Sequence, residues 1–280
     1  MSTKSTLAAF VGTTPNIGTT LAAFAAAYRL AESYQGRVGY LCLNLKSAKI
    51  HRYLGIDGPV VALDDLRPEL RSLSLTPGKL TQSMLQVRGA PLYVLFGNTM
   101  RDQAEFYRPE EIDHLLEIAH SAFDVVIADV GAYWDNAATV CTLRCARTRV
   151  LATTPALSHF QEDGQRWVKQ LSPLFGIPGD GYEALVIRLP GMSGGYQSKD
   201  ICKEMGVSLM GELKANPSLM GALDSGKIDE WLAHDEEGRL AMAAEAASLA
   251  ARHGLKRRPV MTVQPWYKRL VAHRSGKSLS

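Results

Sequence analysis

The sequence predicts an α/β domain built on a doubly wound, mainly parallel sheet with helices on both faces. Three observations carry this. The strand-like segments are continuous apolar runs rather than alternating ones, as expected of strands buried on both faces. They are separated by helix-like segments with short polar breaks, the pattern of a parallel sheet. The first run leads through a loop rich in Gly, Thr, Pro and Asn into a long alanine-rich helix.

In chain order, strands are expected at Leu7–Val11, Val38–Leu45, Leu92–Phe96, Phe123–Ala128, Arg149–Thr153 and Ala184–Leu189, with Val207–Met210 as a seventh. The helix Thr19–Glu32 has its aliphatic face at Leu21, Phe24, Tyr28 and Ala31. Pro109–Ser121 opens with Pro-Glu-Glu, which suits a helix N-terminus. Further helices are expected near Ser218–Leu223 and over Asp235–His253. Ligands of such sheets bind beyond the carboxyl ends of the strands. The loops after Val11, Leu45, Ala128, Thr153 and Leu189 are therefore where function is to be sought. The α/β unit is expected over residues 1–255, followed by a basic tail at 256–280.

Composition narrows the class. With 46% hydrophobic residues, most of the chain must find a core, which excludes disorder. The apolar run Leu21–Tyr28 stops at Arg29, far short of the roughly 20 residues a bilayer requires. The N-terminus shows no secretory cleavage pattern, and the four cysteines form no CxxC pair. Cys141 and Cys145, at i,i+4 spacing, read as buried thiols, and the chain is expected to be cytoplasmic. The net charge of +3 hides an asymmetry: no acidic residue follows Glu245, whereas eight basic ones do. The first 245 residues carry −5, so the excess base belongs to the tail.

The sharpest local feature is the loop GTTPNIGTT, Gly12 to Thr20. A glycine-bearing loop between a strand and a long helix turns backbone N–H groups and the positive helix end into one cavity, which suits a phosphate. A P-loop also needs a lysine for the β- and γ-phosphates and a hydroxyl for magnesium. Gly18 and Thr20 are in place, but position 19 is threonine. Thr13, Thr14, Thr19 and Thr20 equally suit plain helix capping.

At these residues the chain resembles the MinD/ParA group of deviant P-loop ATPases, whose loop reads KGGxGK(S/T)T. On that pattern Thr14 stands at the lysine that reaches across the dimer. Pro15 and Asn16 stand at the two glycines, Ile17 at the variable position and Gly18 at the following glycine. Thr19 occupies the site of the conventional lysine and Thr20 that of the magnesium ligand. Both lysines are missing, and Asn44-Leu45-Lys46 replaces the family's D-x-D-like segment. FDVVIADVGAYWD resembles the strand that carries the Walker B acid, which implies Asp129 as a magnesium ligand. RVLATTPALSHFQEDGQRWVKQL and the segment from Ala184 to Lys227 match later parts of the pattern, with Ile187-Arg188 in place of the adenine-reading asparagine. Five segments occur in order across about residues 5 to 250. Phe106–Gly131 is similar to the TadZ/CpaE-like branch, which helps place and assemble pili, although the receiver-like N-terminal domain common there is lacking.

The resemblance implies a homodimer, ATP and magnesium as ligands, and a place among the protein partners of an assembly machine. The missing charges argue for a degenerate ATPase in which nucleotide binding is weak, altered or absent. Each lost charge-assisted contact is worth roughly 1.5–3 kcal/mol, and catalysis, which depends on charge developed in the transition state, should suffer more. Two other readings stay open: an active ATPase rebuilt on Lys46, Asn16 and the threonines, and a DNA-partition accessory. Arg188 is placed either on a base, in a pair with Asp180, or at the surface. His51, His120, His159 and His234 show no ligand spacing, and Tyr133 and Trp134 suit a dimer contact, a filled cleft or core packing. For the tail, Pro265–Val271 has the pattern of a short amphipathic helix for an anionic membrane. Lys256-Arg257-Arg258 suit nucleic acid, and a solvated or back-packed tail needs no ligand.

Overall fold

The computed structural model describes residues 6–191 and 195–259. Eight strands form one sheet: β1 (Leu7–Gly12), β2 (Val38–Leu43), β3 (Leu85–Gln86), β4 (Leu92–Leu95), β5 (Val125–Val130), β6 (Thr148–Thr153), β7 (Tyr182–Arg188) and β8 (Ser208–Lys214). Their order is β3-β4-β2-β5-β1-β6-β7-β8, parallel throughout except for the antiparallel β3–β4 pair at one edge. The short β3 was not expected from the sequence, since two residues carry no periodicity to read.

Alternate residues of the central strands enter two cores. Phe10, Tyr40, Cys42 and Ile127 face one core, and Val11, Leu41, Leu43 and Ala128 face the other. The helix Thr19–Ser33, here α1, is buried nearly all round rather than along one stripe. Its alanines allow close approach to the sheet, and Phe24 meets Tyr40 edge to face at 5.7 Å.

Burial of α1 includes Arg29, only 3% exposed. Its guanidinium donates to the carbonyls of Leu232 at 2.5 Å, Gly238 at 2.7 Å and Ala241 at 3.3 Å, and pairs with Glu32. These carbonyls lie at or near helix ends, where intrahelical donors run out, although Gly238 O also accepts from the N–H of Ala241 at 3.1 Å. They explain a correction: the single helix expected over Asp235–His253 is broken into Glu236–Leu240 and Ala243–His253, with Met242 between them at a left-handed φ of 57°.

Backbone structure continues past residue 255. Gln35 N donates to Lys256 O at 2.7 Å, and Arg258 N donates to Ser33 O at 2.8 Å. The amphipathic stretch Pro265–Val271 lies outside the described residues. No helix among the described residues is long and apolar enough to cross a membrane.

Candidate functional site

The loop after β1 meets the N-terminus of α1 at the carboxyl end of the sheet. Two left-handed residues shape it, Asn16 at φ 60° and Gly18 at φ 95°. Asparagine tolerates this region through its short polar side chain, and glycine through the lack of a Cβ. Gly12 is required for another reason. A Cβ there would lie 2.7 Å from Thr19 Oγ1 and 2.8 Å from Thr14 O. The chain makes a hydrogen-bonded turn at Pro15–Asn16, and the N–H groups of Asn16 and Gly18 make no backbone hydrogen bond among the described residues, so the loop presents donors at the positive end of a 15-residue helix.

These donors border a cleft of about 620 Å³, within the range of small-molecule sites. Thr14, Pro15, Asn16, Gly18, Thr19 and Thr20 line it on the loop side. Thr13 and Ile17 do not. Thr13 is buried, its N–H bonded to Ala152 O at 2.8 Å and its hydroxyl to Thr153 Oγ1 at 3.3 Å, and Ile17 belongs to the core. Trp167, on a wide π-type helical turn over Arg166–Leu171, donates its indole N–H to Thr13 O at 3.1 Å and braces the loop from behind. The opposite wall is apolar, made by Leu189, Pro190, Ala215, Met220 and Leu223, with Tyr53 and Asn44 alongside. Neither Tyr133 nor Trp134 lines the cleft.

Asp129, between Phe10 and Cys42 in the sheet, is fully buried behind Thr20. Tyr40 OH donates to its Oδ2 at 3.2 Å, whereas Oδ1 has no hydrogen-bond partner. Burial pushes its pKa up to about 7, against the pull of the nearby Thr20 and Tyr40 hydroxyls. An orphaned carboxylate oxygen beside a threonine hydroxyl fits a magnesium site, but Asn44 supplies no second carboxylate. No cluster of three or more His, Cys, Asp or Glu among the described residues could hold a metal by itself.

The lysines are placed differently from expectation. Lys46, one support for the rebuilt-ATPase reading, turns away from the cleft. It bonds Asp135 at 2.5 Å and Glu105 at 2.9 Å, and lies 5.0 Å from the centre of the Tyr133 ring. Partial burial lowers its pKa, but the bonds to Asp135 and Glu105 outweigh this and hold it above the usual value. Lys49, which the sequence reading passed over, is the one charged side chain lining the cleft among the described residues. Its Nζ lies 3.0 Å from Asn16 Oδ1.

The remaining candidates have structural partners. Arg188 pairs with Glu212 at 3.0 Å. His51 stacks edge-on against Phe96, and His159 shares a hydrogen bond with Thr154 at 2.8 Å. Cys42, Cys141 and Cys202 are buried, but Cys145 is exposed, contrary to the expectation of buried thiols. Trp134 is exposed and lies 6.4 Å from the Phe175 ring, on a surface hollow that also includes Tyr107, Val140 and Cys141.

No protein-family model matches the chain, and no curated protein matches it in sequence. Solved structures do match in three dimensions. A ParA family ATPase from Chlorobium tepidum aligns with TM-score 0.73 at 20% identity, covering 87% of this chain and 99% of that one. A chain of the MinC:MinD cell division protein complex of Aquifex aeolicus aligns with TM-score 0.70 at 16% identity, over 88% and 96%. The septum site-determining protein MinD of Pyrococcus horikoshii, complexed with Mg-ADP, aligns with TM-score 0.65 at 14% identity, over 89% and 97%. At these identities the likeness carries the architecture: the chain has the doubly wound P-loop fold of the ParA and MinD ATPases.

Proposed function

We propose that this chain is a degenerate MinD/ParA-type ATPase that serves as a dimeric assembly or localisation factor of a pilus or secretion apparatus. The observation that carries the reading is the cleft itself. Its loop keeps left-handed turns at Asn16 and Gly18 and the N–H groups of a helix start, as a phosphate cradle needs, yet threonines stand at both lysine positions and Asn44 at the switch carboxylate. Phosphoryl transfer rests on positioning and charge neutralisation, so a site short of charge can still bind while failing to catalyse.

Nucleotide is the ligand the cleft supports. Thr20 and Asp129 are the residues that would hold magnesium, which when bound would neutralise phosphate charge. Burial raises the pKa of Asp129 to about 7, so a proton competes with a metal for this carboxylate near neutral pH. The assembly role rests on the similarity of Phe106–Gly131 to the TadZ/CpaE-like branch. Trp134 and the hollow beside Phe175 supply an exposed aromatic surface suited to a subunit contact. The basic tail, most of it outside the described residues, is the part suited to an anionic surface.

Light scattering on the full chain tests the scaffold reading. A dimer is expected with or without ATP, weakened to monomer by Trp134→Ser. A monomer under all conditions contradicts it, and a dimer that forms only with ATP favours a working nucleotide switch. Salt-sensitive DNA binding that disappears when 256–280 are deleted would favour the partition-accessory reading instead.

A further inference from the structure

Lys46 and Lys49 are three residues apart on the segment after β2, and only Lys49 enters the cleft. Lys49 is exposed, yet its ammonium lies 3.0 Å from the side-chain oxygen of Asn16, at the turn of the loop that leads into the helix N-terminus. An ammonium whose partner is a neutral amide oxygen can exchange it for an anionic phosphate oxygen, which adds the attraction of opposite charges. No second cation and no ionised acid among the described residues lines the cleft.

We propose that Lys49 takes over the phosphate contact of the two missing lysines, and that the cleft therefore receives a nucleotide with a short phosphate chain, a nucleoside mono- or diphosphate, in preference to a triphosphate. This rests on the reading of the cleft as a nucleotide site. The loop N–H groups and the helix end serve the first phosphates. Lys49 neutralises one further charge. A terminal phosphate beyond that would meet only the uncharged polar residues of the cleft, among them Thr14, Thr19 and Asn44. Such a phosphate adds negative charge with nothing to balance it, and the acid that could recruit magnesium to it, Asp129, is buried behind Thr20. The opposite wall of Leu189, Pro190, Ala215, Met220 and Leu223 offers a dry face for a planar base.

Calorimetric titration of the full chain with AMP, ADP and ATP, each with and without magnesium, tests the proposal. ADP is expected to bind at least as tightly as ATP, with little gain from magnesium. Lys49→Gln should weaken ADP at least about tenfold, the loss of one charge-assisted contact. Lys49→Arg should restore part of that loss, and Lys46→Gln should leave affinity unchanged. Because Lys49 is exposed, its variants keep the fold, which thermal melting verifies. ATP binding about tenfold more tightly than ADP, or Lys49→Gln binding like the parent, overturns the proposal while leaving the nucleotide cleft in place. Absence of binding by all three nucleotides overturns it together with the nucleotide reading, but leaves a nucleotide-free dimeric scaffold untouched.

Discussion

The Nζ of Lys49 lies 3.0 Å from Oδ1 of Asn16, so the cation at this cleft comes from the segment after β2 and not from the glycine loop. The loop supplies donors without charge, and the charge is imported. A lysine in the loop would be fixed by its own helix turn, whereas Lys49 is anchored only at its tip and by a neutral partner. This arrangement suits binding better than catalysis, because transition-state stabilisation depends on donors fixed before the reaction begins.

Gly12 is the residue on which the shape of the loop depends most. In Gly12→Ala the new methyl would collide with Thr14 O and Thr19 Oγ1. The loop backbone must then move, at a cost of about 1–3 kcal/mol in stability. Nucleotide affinity measured by calorimetry should fall at least about tenfold, because misplaced N–H groups lose charge-assisted contacts. Unchanged affinity would show that the loop is not the phosphate cradle.

Arg29 holds the C-terminal helices to α1. Arg29→Ala removes the guanidinium donor from the carbonyls of Leu232, Gly238 and Ala241. Breaking such a buried charged network costs about 3–5 kcal/mol. Urea denaturation should show a midpoint lowered accordingly, with a loss below about 1 kcal/mol contradicting the hub role.

Asp129 gives a pH signature. Its carboxyl is raised from the ordinary 3.8 to about 7 by burial. Between those values the folded chain keeps a proton that the unfolded chain has released, so stability falls as pH rises from about 4 to about 7. At roughly 1.4 kcal/mol per pKa unit the ceiling is about 4 kcal/mol. Asp129→Asn should be more stable than the parent at pH 8, with the gap closing towards pH 4. Parallel stability profiles for the two proteins would contradict the buried, protonated acid.

His253 acts in the opposite direction. Burial, then Arg147 and Arg252, lowers it to about 4. Below its ordinary 6.5 the unfolded chain takes up a proton that the fold refuses, so acid removes stability between about pH 6.5 and 4. In His253→Gln the unfolding midpoint should change less between pH 7.5 and 5 than in the parent. An equal acid loss in both would rule this out.

Most of the sheet was legible in the sequence because its strands are buried on both faces and read as unbroken apolar runs. The break at Met242 was not, because its cause is a buried arginine more than two hundred residues away, and no local pattern encodes that. The glycine loop could be read directly from Gly12, Asn16 and Gly18. Lys46 sat nearest the family's switch position, yet Asp135 and Glu105, distant in the chain, draw it aside. Lys49 resembles any surface lysine until the fold brings the two loops together. Trp167 was similarly hidden: its position suggests core packing, and only the geometry reveals the bond to Thr13 O.

In the proposed reading this P-loop cleft binds nucleotide without turning it over. Steady-state phosphate release from ATP and magnesium by the full chain, set against Asp129→Ala, tests it most directly. The two proteins are expected to be indistinguishable. Turnover by the parent above that of Asp129→Ala would contradict the claim and show a working ATPase.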